Sequence, residues 1–260
     1  MNNLFKPIAT ISDTNKLFVM CAWAAFTIIA WFTVSITFVP TPIEVFQSWL
    51  FLIKQESLLV ELYVSIVTNI QALAITTILS LLISYIVVLP FMYPFVVFCS
   101  KARFFGITGF VVFFTLMFGG GHWLKVALLV FGMSVFFITS MSSVIVDTPR
   151  EEFDYARTLR FSNWQIVWEV IILGKFDQAL EILRQNAAMG WVMLTMVEGL
   201  NRSEGGLGAL MLNESKHFKL AAVFAIQFTV LAIGILQDFS LKQIRSWLCP
   251  YAELNLEANK

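Results

Sequence analysis

Long apolar stretches alternate with short polar ones along this chain, and their lengths decide what each can form. Residues 17–39 are the first apolar run, preceded by Lys16 and broken by Pro40, Thr41 and Pro42, since proline cannot continue a helix. Residues 43–54 mix Ile43, Val45, Phe46, Trp49, Leu50 and Ile53 with Glu44, Gln47, Ser48 and Lys54. That stretch is too short and too polar to cross a bilayer, and predicts an amphipathic helix at the interface. Glu56 and Glu61 predict a solvated approach to the next run, residues 67–89. Residues 104–118 form a shorter run closed by Gly119, Gly120 and Gly121; residues 123–146, 183–200 and 220–239 complete the set. A span needs about 20 mostly apolar residues, so the pattern predicts an all-α membrane protein with about six transmembrane helices. The first run is too long for a signal-peptide core and lacks a convincing small-x-small cleavage site, so it is expected to be retained as a span. Lys125, near the start of the fourth span, is expected to snorkel to the headgroups.

The longest polar stretch is residues 147–181, and no loop is large enough to hide a second domain. The chain therefore reads as one transmembrane domain, 1–260, with a prominent loop at about 147–182. Glu151, Glu152 and Asp154 precede Arg157 and Arg160, the order that complements a helix dipole. Thr148 is the expected cap, with Pro149 at the first helical position and Glu151 three residues beyond the cap. Trp164, Ile166, Val167, Val170, Ile171 and Leu173 predict a second helical piece over residues 163–173. Two short helices on a loop offer a docking surface for a soluble partner; a plain solvated connector fits the same pattern.

Orientation follows the Lys and Arg positions. With the amino terminus inside, twelve of the 17 basic residues fall inside: Lys6, Lys16, Lys101, Arg103, Arg150, Arg157, Arg160, Lys175, Arg184, Lys242, Arg245 and Lys260. Both termini and the long loop are then cytoplasmic, and residues 40–66 and 201–219 extracytoplasmic.

Composition agrees with a bilayer. The chain is 58% hydrophobic and 13% charged, against about 45–50% and about 25% in soluble domains. Phe, at 26 residues, far outnumbers the 8 Trp and 5 Tyr, as expected where lipid tails admit Phe at any depth. Zero net charge gives no sign of nucleic-acid binding. Cys21, Cys99 and Cys249 share no metal or disulfide spacing, and neither His122 nor His217 has a second ligand nearby in sequence. No metal or cofactor is expected. A phosphate-binding glycine loop is missing, because the single Gly-Lys pair, Gly174 and Lys175, is followed by Phe176. The chain is thus not expected to be an enzyme.

Polar residues within spans are functional suspects by default, although helix–helix hydrogen bonding explains many of them. Asn69 and Gln71 open span two, Gln185 and Asn186 open span five, Glu198 ends span five as a solvated helix end, and Gln227 lies in span six. Gln185, Asn186, Trp191 and Glu198 are candidates for a solute path.

Residues 150–211 resemble the permeases of nitrate/sulfonate/taurine-type ABC importers. That family carries a cytoplasmic loop with an acid, Ala-Arg, Leu-Gly, and a hydrophobic run ending in Leu-Pro; Glu152, Asp154, Ala156, Arg157 and Leu159, then Ile171, Ile172 and Leu173, stand in that order here. Leu183 and Arg184, Glu198, and Gly206, Leu207 and Gly208 resemble the following span and the family's Gly-Leu-Gly. Phe118 with the three glycines and Lys125, then Phe136 and Phe137, and further upstream Pro40 and Pro42, match more loosely. Two positions depart: Arg160 replaces the loop glycine and Gly174 replaces the Leu-Pro proline. Either the first loop helix runs on through Arg160, or Arg160 takes a left-handed turn at a cost of about 1 kcal/mol.

The resemblance implies a type I importer permease fold in a bacterial-type inner membrane. It also implies a second permease copy or paralogue, cytoplasmic ATP-binding cassette subunits that hydrolyse ATP, and an extracytoplasmic substrate-binding protein. Tyr155, Leu159, Phe161 and Trp164 would anchor the loop in the ATPase, with Glu152, Asp154 and Arg157 setting its register and Ala156 and Arg160 completing the coupling loop. The alternatives are a secondary transporter or channel, or a non-transporting membrane scaffold.

Overall fold

The computed structural model of the chain describes residues 13–33, 39–55 and 57–250, which form helices and no strand. Residues 34–38 of the first expected span, and Glu56, Lys6 and Lys260, lie outside the described residues. Helix α1 (Asp13–Thr33) is apolar on every side and exposes Phe18, Trp23, Phe26 and Ile29. Helix α2 (Pro42–Gln55) starts at a reciprocal cap: the Thr41 N–H donates to Glu44 and the Glu44 N–H donates to the Thr41 hydroxyl. Its Trp49 indole donates to Thr229, which fixes α2 against the long C-terminal helix.

Helix α3 (Leu58–Ile86) begins nine residues before the expected residue 67. Glu61 is not a solvated approach; it sits in the first turn and accepts the Gly206 N–H from a distant loop. The helix is inside out by soluble standards. Its buried face carries Ser65, Thr68, Asn69, Thr76, Ser80 and Ser84, while Ile70, Ile75, Ile78 and Leu82 face outward. Lipid removes the incentive to bury oily groups, and small polar residues let helices approach closely.

The expected third span, residues 104–118, is the second arm of a bent pair. Helix α4 (Tyr93–Lys101), with Pro94 in its first turn, passes through a tight turn at Ala102–Phe104 to helix α5 (Ile107–Phe118), and the two arms are bent by 110°. Phe105 and Gly106 are extended at the break. Helix α5, at 12 residues, is about 18 Å long, well short of a 30 Å hydrocarbon core.

Helix α6 (His122–Val146) matches the fourth expected span. Helix α7 (Arg150–Thr158) starts after Pro149, which takes the cap position; the expected cap, Thr148, instead donates to the Val144 carbonyl of α6. Helix α8 (Asn163–Ile166) is capped by Ser162 and Gln165 reciprocally and widens into a π-helical turn, Val167–Leu173. Helix α9 (Phe176–Leu200) begins seven residues before the expected residue 183. The polar loop at 201–219 contains helix α10 (Leu207–Lys216), and helix α11 (Leu220–Leu248) extends nine residues beyond the expected residue 239.

By length and composition α3, α6 and α11 can each cross a membrane, and the bent α4–α5 pair makes a fourth crossing if it acts as one. Helix α9 is long enough but carries Arg184, Gln185, Asn186 and Glu198. The main core gathers Ala72, Leu128, Met133, Trp191, Leu194, Leu207 and Ile226 from α3, α6, α9, α10 and α11. A second core, around Val87, Val96, Phe137, Met141, Ile145 and Ile171, sits where α4, α6 and the π-turn meet.

Candidate functional site

Polar chemistry collects at the two ends of the bundle. At one end, α7 and α8 project from the junction of α6 and α9. Lys175, just before α9, donates to both oxygens of Glu152 at 2.9 Å and holds α7 to the bundle. Ala156 is buried on the inner face of α7. The outer face is open: Tyr155 is 69% exposed, Trp164 71% and Trp168 54%, with Leu159 and Phe161 beside them. Asp154 and Arg157 pair with each other on that surface at 2.9 Å.

Helix α7 does not run on through Arg160. The Arg160 N–H donates to the Arg157 carbonyl and the Phe161 N–H to the Ala156 carbonyl. Those two bonds close a Schellman turn with the left-handed residue just past the cap, and Arg160 holds φ 60 there. The family's glycine shape is therefore kept by an arginine at the expected strain. Gly174 has its own reason. Its N–H donates to the Glu169 carbonyl at 2.9 Å, and a Cβ there would collide with the Val170 carbonyl. Proline would lose that bond and meet the same obstruction.

The same end carries an ion network. Arg184 donates to Glu181 and Asp238, each at 2.6 Å, and Arg245 donates to Glu181 at 2.7 Å. It ties the start of α9 to the last turns of α11. Hydrogen bonding from Arg184 holds the Glu181 carboxyl, which precedes the apolar run at 183–200, below the ordinary carboxylate range. Between α6, α7 and α9 lies a polar cleft of about 580 Å³ lined by Ser140, Ser143, Asp147, Glu152, Lys175 and Gln178.

At the opposite end Glu198 is fully buried, not the solvated helix end expected. It accepts the Ser65 hydroxyl at 2.7 Å and the Gly208 N–H at 2.9 Å, while the Leu207 N–H donates to Ser65 at 2.8 Å. Lys125 is equally buried and donates to the Gly205 carbonyl at 2.6 Å rather than snorkelling. Glu198, Glu204 and Glu61 are the anions around it. Gly208 permits this clasp, because a Cβ there would strike the backbone of Thr195. The Gly-Leu-Gly motif thus lays the N-terminus of α10 on a buried carboxylate, as the helix dipole favours.

Between the ends, Trp191 donates to Gln237 at 2.6 Å, and Asn69 donates to the same oxygen at 3.3 Å. Asn186 is buried with neither side-chain atom bonded. Gln185 points outward and donates to Glu181. The four α9 candidates are therefore not one constellation. Asn186 and Trp191 face the interior, Gln185 faces out at the α7 end, and Glu198 closes the far end, twelve residues or about 18 Å from Asn186. Gln237 and Ser65 were not singled out by sequence. Gln237 had a readable signal, an amide in an apolar helix; Gln227, named instead, is exposed. Among the described residues no group of His, Cys, Asp and Glu could hold a metal.

Residues 64–248 match the family model of the binding-protein-dependent transport system inner membrane component. No curated protein matches the chain.

Proposed function

The chain belongs to the binding-protein-dependent transport system inner membrane component family, and from that premise we propose that it is an importer permease driven by a separate ATPase through α7 and α8. It is an ABC importer permease subunit in the general sense; its coupling, orientation, substrate and partners are the proposal. The supporting observation is the open face of Tyr155, Leu159, Trp164 and Trp168, presented by α7, α8 and the π-turn, with α7 bolted to the bundle through Glu152 and Lys175.

The open rings seat in a cleft of a cytoplasmic ATP-binding cassette subunit, and closure of the ATPase pair pushes α7. Lys175 leads directly into α9, so the push reaches α9 and, through Glu181, Arg184 and Arg245, α11. The membrane crossings of this protein and of a second permease then alternate between inward-open and outward-open. Both termini and the α7 end face the cytoplasm, and the Glu198 end faces the substrate-binding protein. A small solute follows the polar faces of α3, α6 and α9, past Asn186 and Trp191. The motifs of residues 150–211 favour the nitrate/sulfonate/taurine branch and a small anion.

Gentle detergent extraction should bring down an ATPase subunit with the chain. Trp164→Ala and Tyr155→Ala should each weaken that association by about thirty-fold, the scale of an interface hot spot, without changing thermal unfolding of the chain alone. Undiminished association in both variants, or solute movement by the purified chain without any ATPase, overturns the proposal.

A further inference from the structure

The elbow of the bent pair opens on an apolar groove of about 560 Å³, bounded by α3, α4, α5 and α6. Leu79, Phe98, Ala102, Phe114, Val130 and Phe131 line it. Lys101 and Arg103 flank Ala102, and both are exposed. Neither has an acidic partner among the described residues, and the sequence contains no carboxylate between Glu61 and Asp147. Arg103 rests its guanidinium over the Phe104 ring, 5.2 Å from the centroid.

Depth matters here. Ser100 bonds Thr139 at 3.0 Å, and Thr139 lies seven residues before the end of α6, about 10 Å along its axis. Lysine and arginine side chains are long enough to snorkel over that distance to a headgroup layer. The elbow therefore presents two unpaired cations, either side of the groove residue Ala102, beside a slot that only hydrocarbon would fill. Anionic lipid is the ligand whose charge and tail match both halves.

We propose that this groove is a binding site for an anionic phospholipid, one acyl chain between α5 and α6 and the phosphate on Lys101 and Arg103. Each cation near the surface contributes about five-fold to the preference for an anionic headgroup, so the pair contributes about twenty-five-fold.

The test reconstitutes the full chain in nanodiscs of equal phosphatidylglycerol and phosphatidylcholine and reads retained lipid by native mass spectrometry. The wild type should retain phosphatidylglycerol preferentially. Lys101→Ala with Arg103→Ala should lose that preference by about twenty-five-fold, whereas Lys242→Ala, an exposed cation on α11, should keep it. In the wild type, a phosphatidylglycerol with a photoreactive group midway along its acyl chain should label Phe114 or Phe131. Equal retention of both lipids by the wild type overturns the site, as does equal loss in Lys242→Ala. Labelling confined to other surfaces, or a lipid-free dimer with Ala127 inaccessible to lipid-borne probes, puts no lipid in the groove and also overturns it.

Discussion

Replacing Glu198 by alanine tests whether the buried clasp holds the Gly-Leu-Gly loop. Polar pairs within membranes average only about 0.6 kcal/mol, because the unfolded helices find other partners. Glu198 should exceed that for two reasons. It takes a hydroxyl and an amide at 2.7 and 2.9 Å, charge-assisted bonds of roughly 1.5–3 kcal/mol each. Its loss also leaves Lys125 fully buried with less opposing charge, which adds to the cost. Glu198→Ala should therefore lose about 3–5 kcal/mol in reversible unfolding of the detergent-solubilised protein. Ser65→Ala alone should lose about 1–2 kcal/mol. In the double variant the Ser65 change should cost little, a coupling of at least about 1 kcal/mol. A Glu198→Ala loss below about 1 kcal/mol, or equal Ser65 costs in both backgrounds, would refute the clasp.

Arg160→Gly should stabilise the chain by about 1 kcal/mol by relieving the left-handed strain, and Arg160→Ala should not; thermal unfolding of the two variants checks this. Gly174→Pro restores the family's residue yet should cost about 3 kcal/mol, because the bond to Glu169 goes and the Val170 carbonyl blocks the ring; a neutral result in the same assay would remove the π-turn from the explanation. Lys175→Ala should free α7, seen as faster hydrogen exchange across Arg150–Thr158 with unchanged exchange in α3. Glu181 is held below the ordinary carboxylate value of 4.5, so its stabilisation is complete above that pH and disappears as pH falls through the lower folded value; Glu181→Gln should flatten the acid limb of a stability–pH curve.

The helices that read directly from the sequence are those whose reason for forming is local. Helix α6 is a long, mostly apolar run, and α7 carries Glu151 and Glu152 in its first turn and Arg157 in its last, so both lie where the pattern places them. The misplaced boundaries have distant causes. Glu61 looks wet until the Gly206 amide, 145 residues away, arrives to use it. Lys125 looks like a snorkelling cation until the Gly205 carbonyl covers it. The start of α9 looks like loop because Asp177, Glu181 and Arg184 are charged, and their partners Asp238 and Arg245 lie on α11. The turn before α5 was legible in Lys101 and Arg103, but α4 was not, because Pro90 and Pro94 read as interruptions rather than as the start of a helix. At the candidate site, the exposure of Tyr155, Leu159 and Trp164 was legible, because amphipathicity is local. The bonding of Asn186, Trp191 and Glu198 was not legible, since it depends on which helices surround α9.

The reversed polarity of α3 also determines where the bundle can yield. Thr68 and Thr77 spend their hydroxyls on their own helix, at the Val64 and Leu73 carbonyls, and two contacts reach across to α6: Ser80 with Ser134 at 3.5 Å, and Gln71 with His122 at 2.5 Å where α6 begins. Small side chains with few crosswise bonds make a smooth plane of slip. Resistance to sliding is concentrated at one end, where Glu198 takes Ser65 of α3, Lys125 of α6 reaches Gly205, and His122 meets Gln71, so displacement of α3 past α6 is governed by a single end stop rather than by friction along the helices.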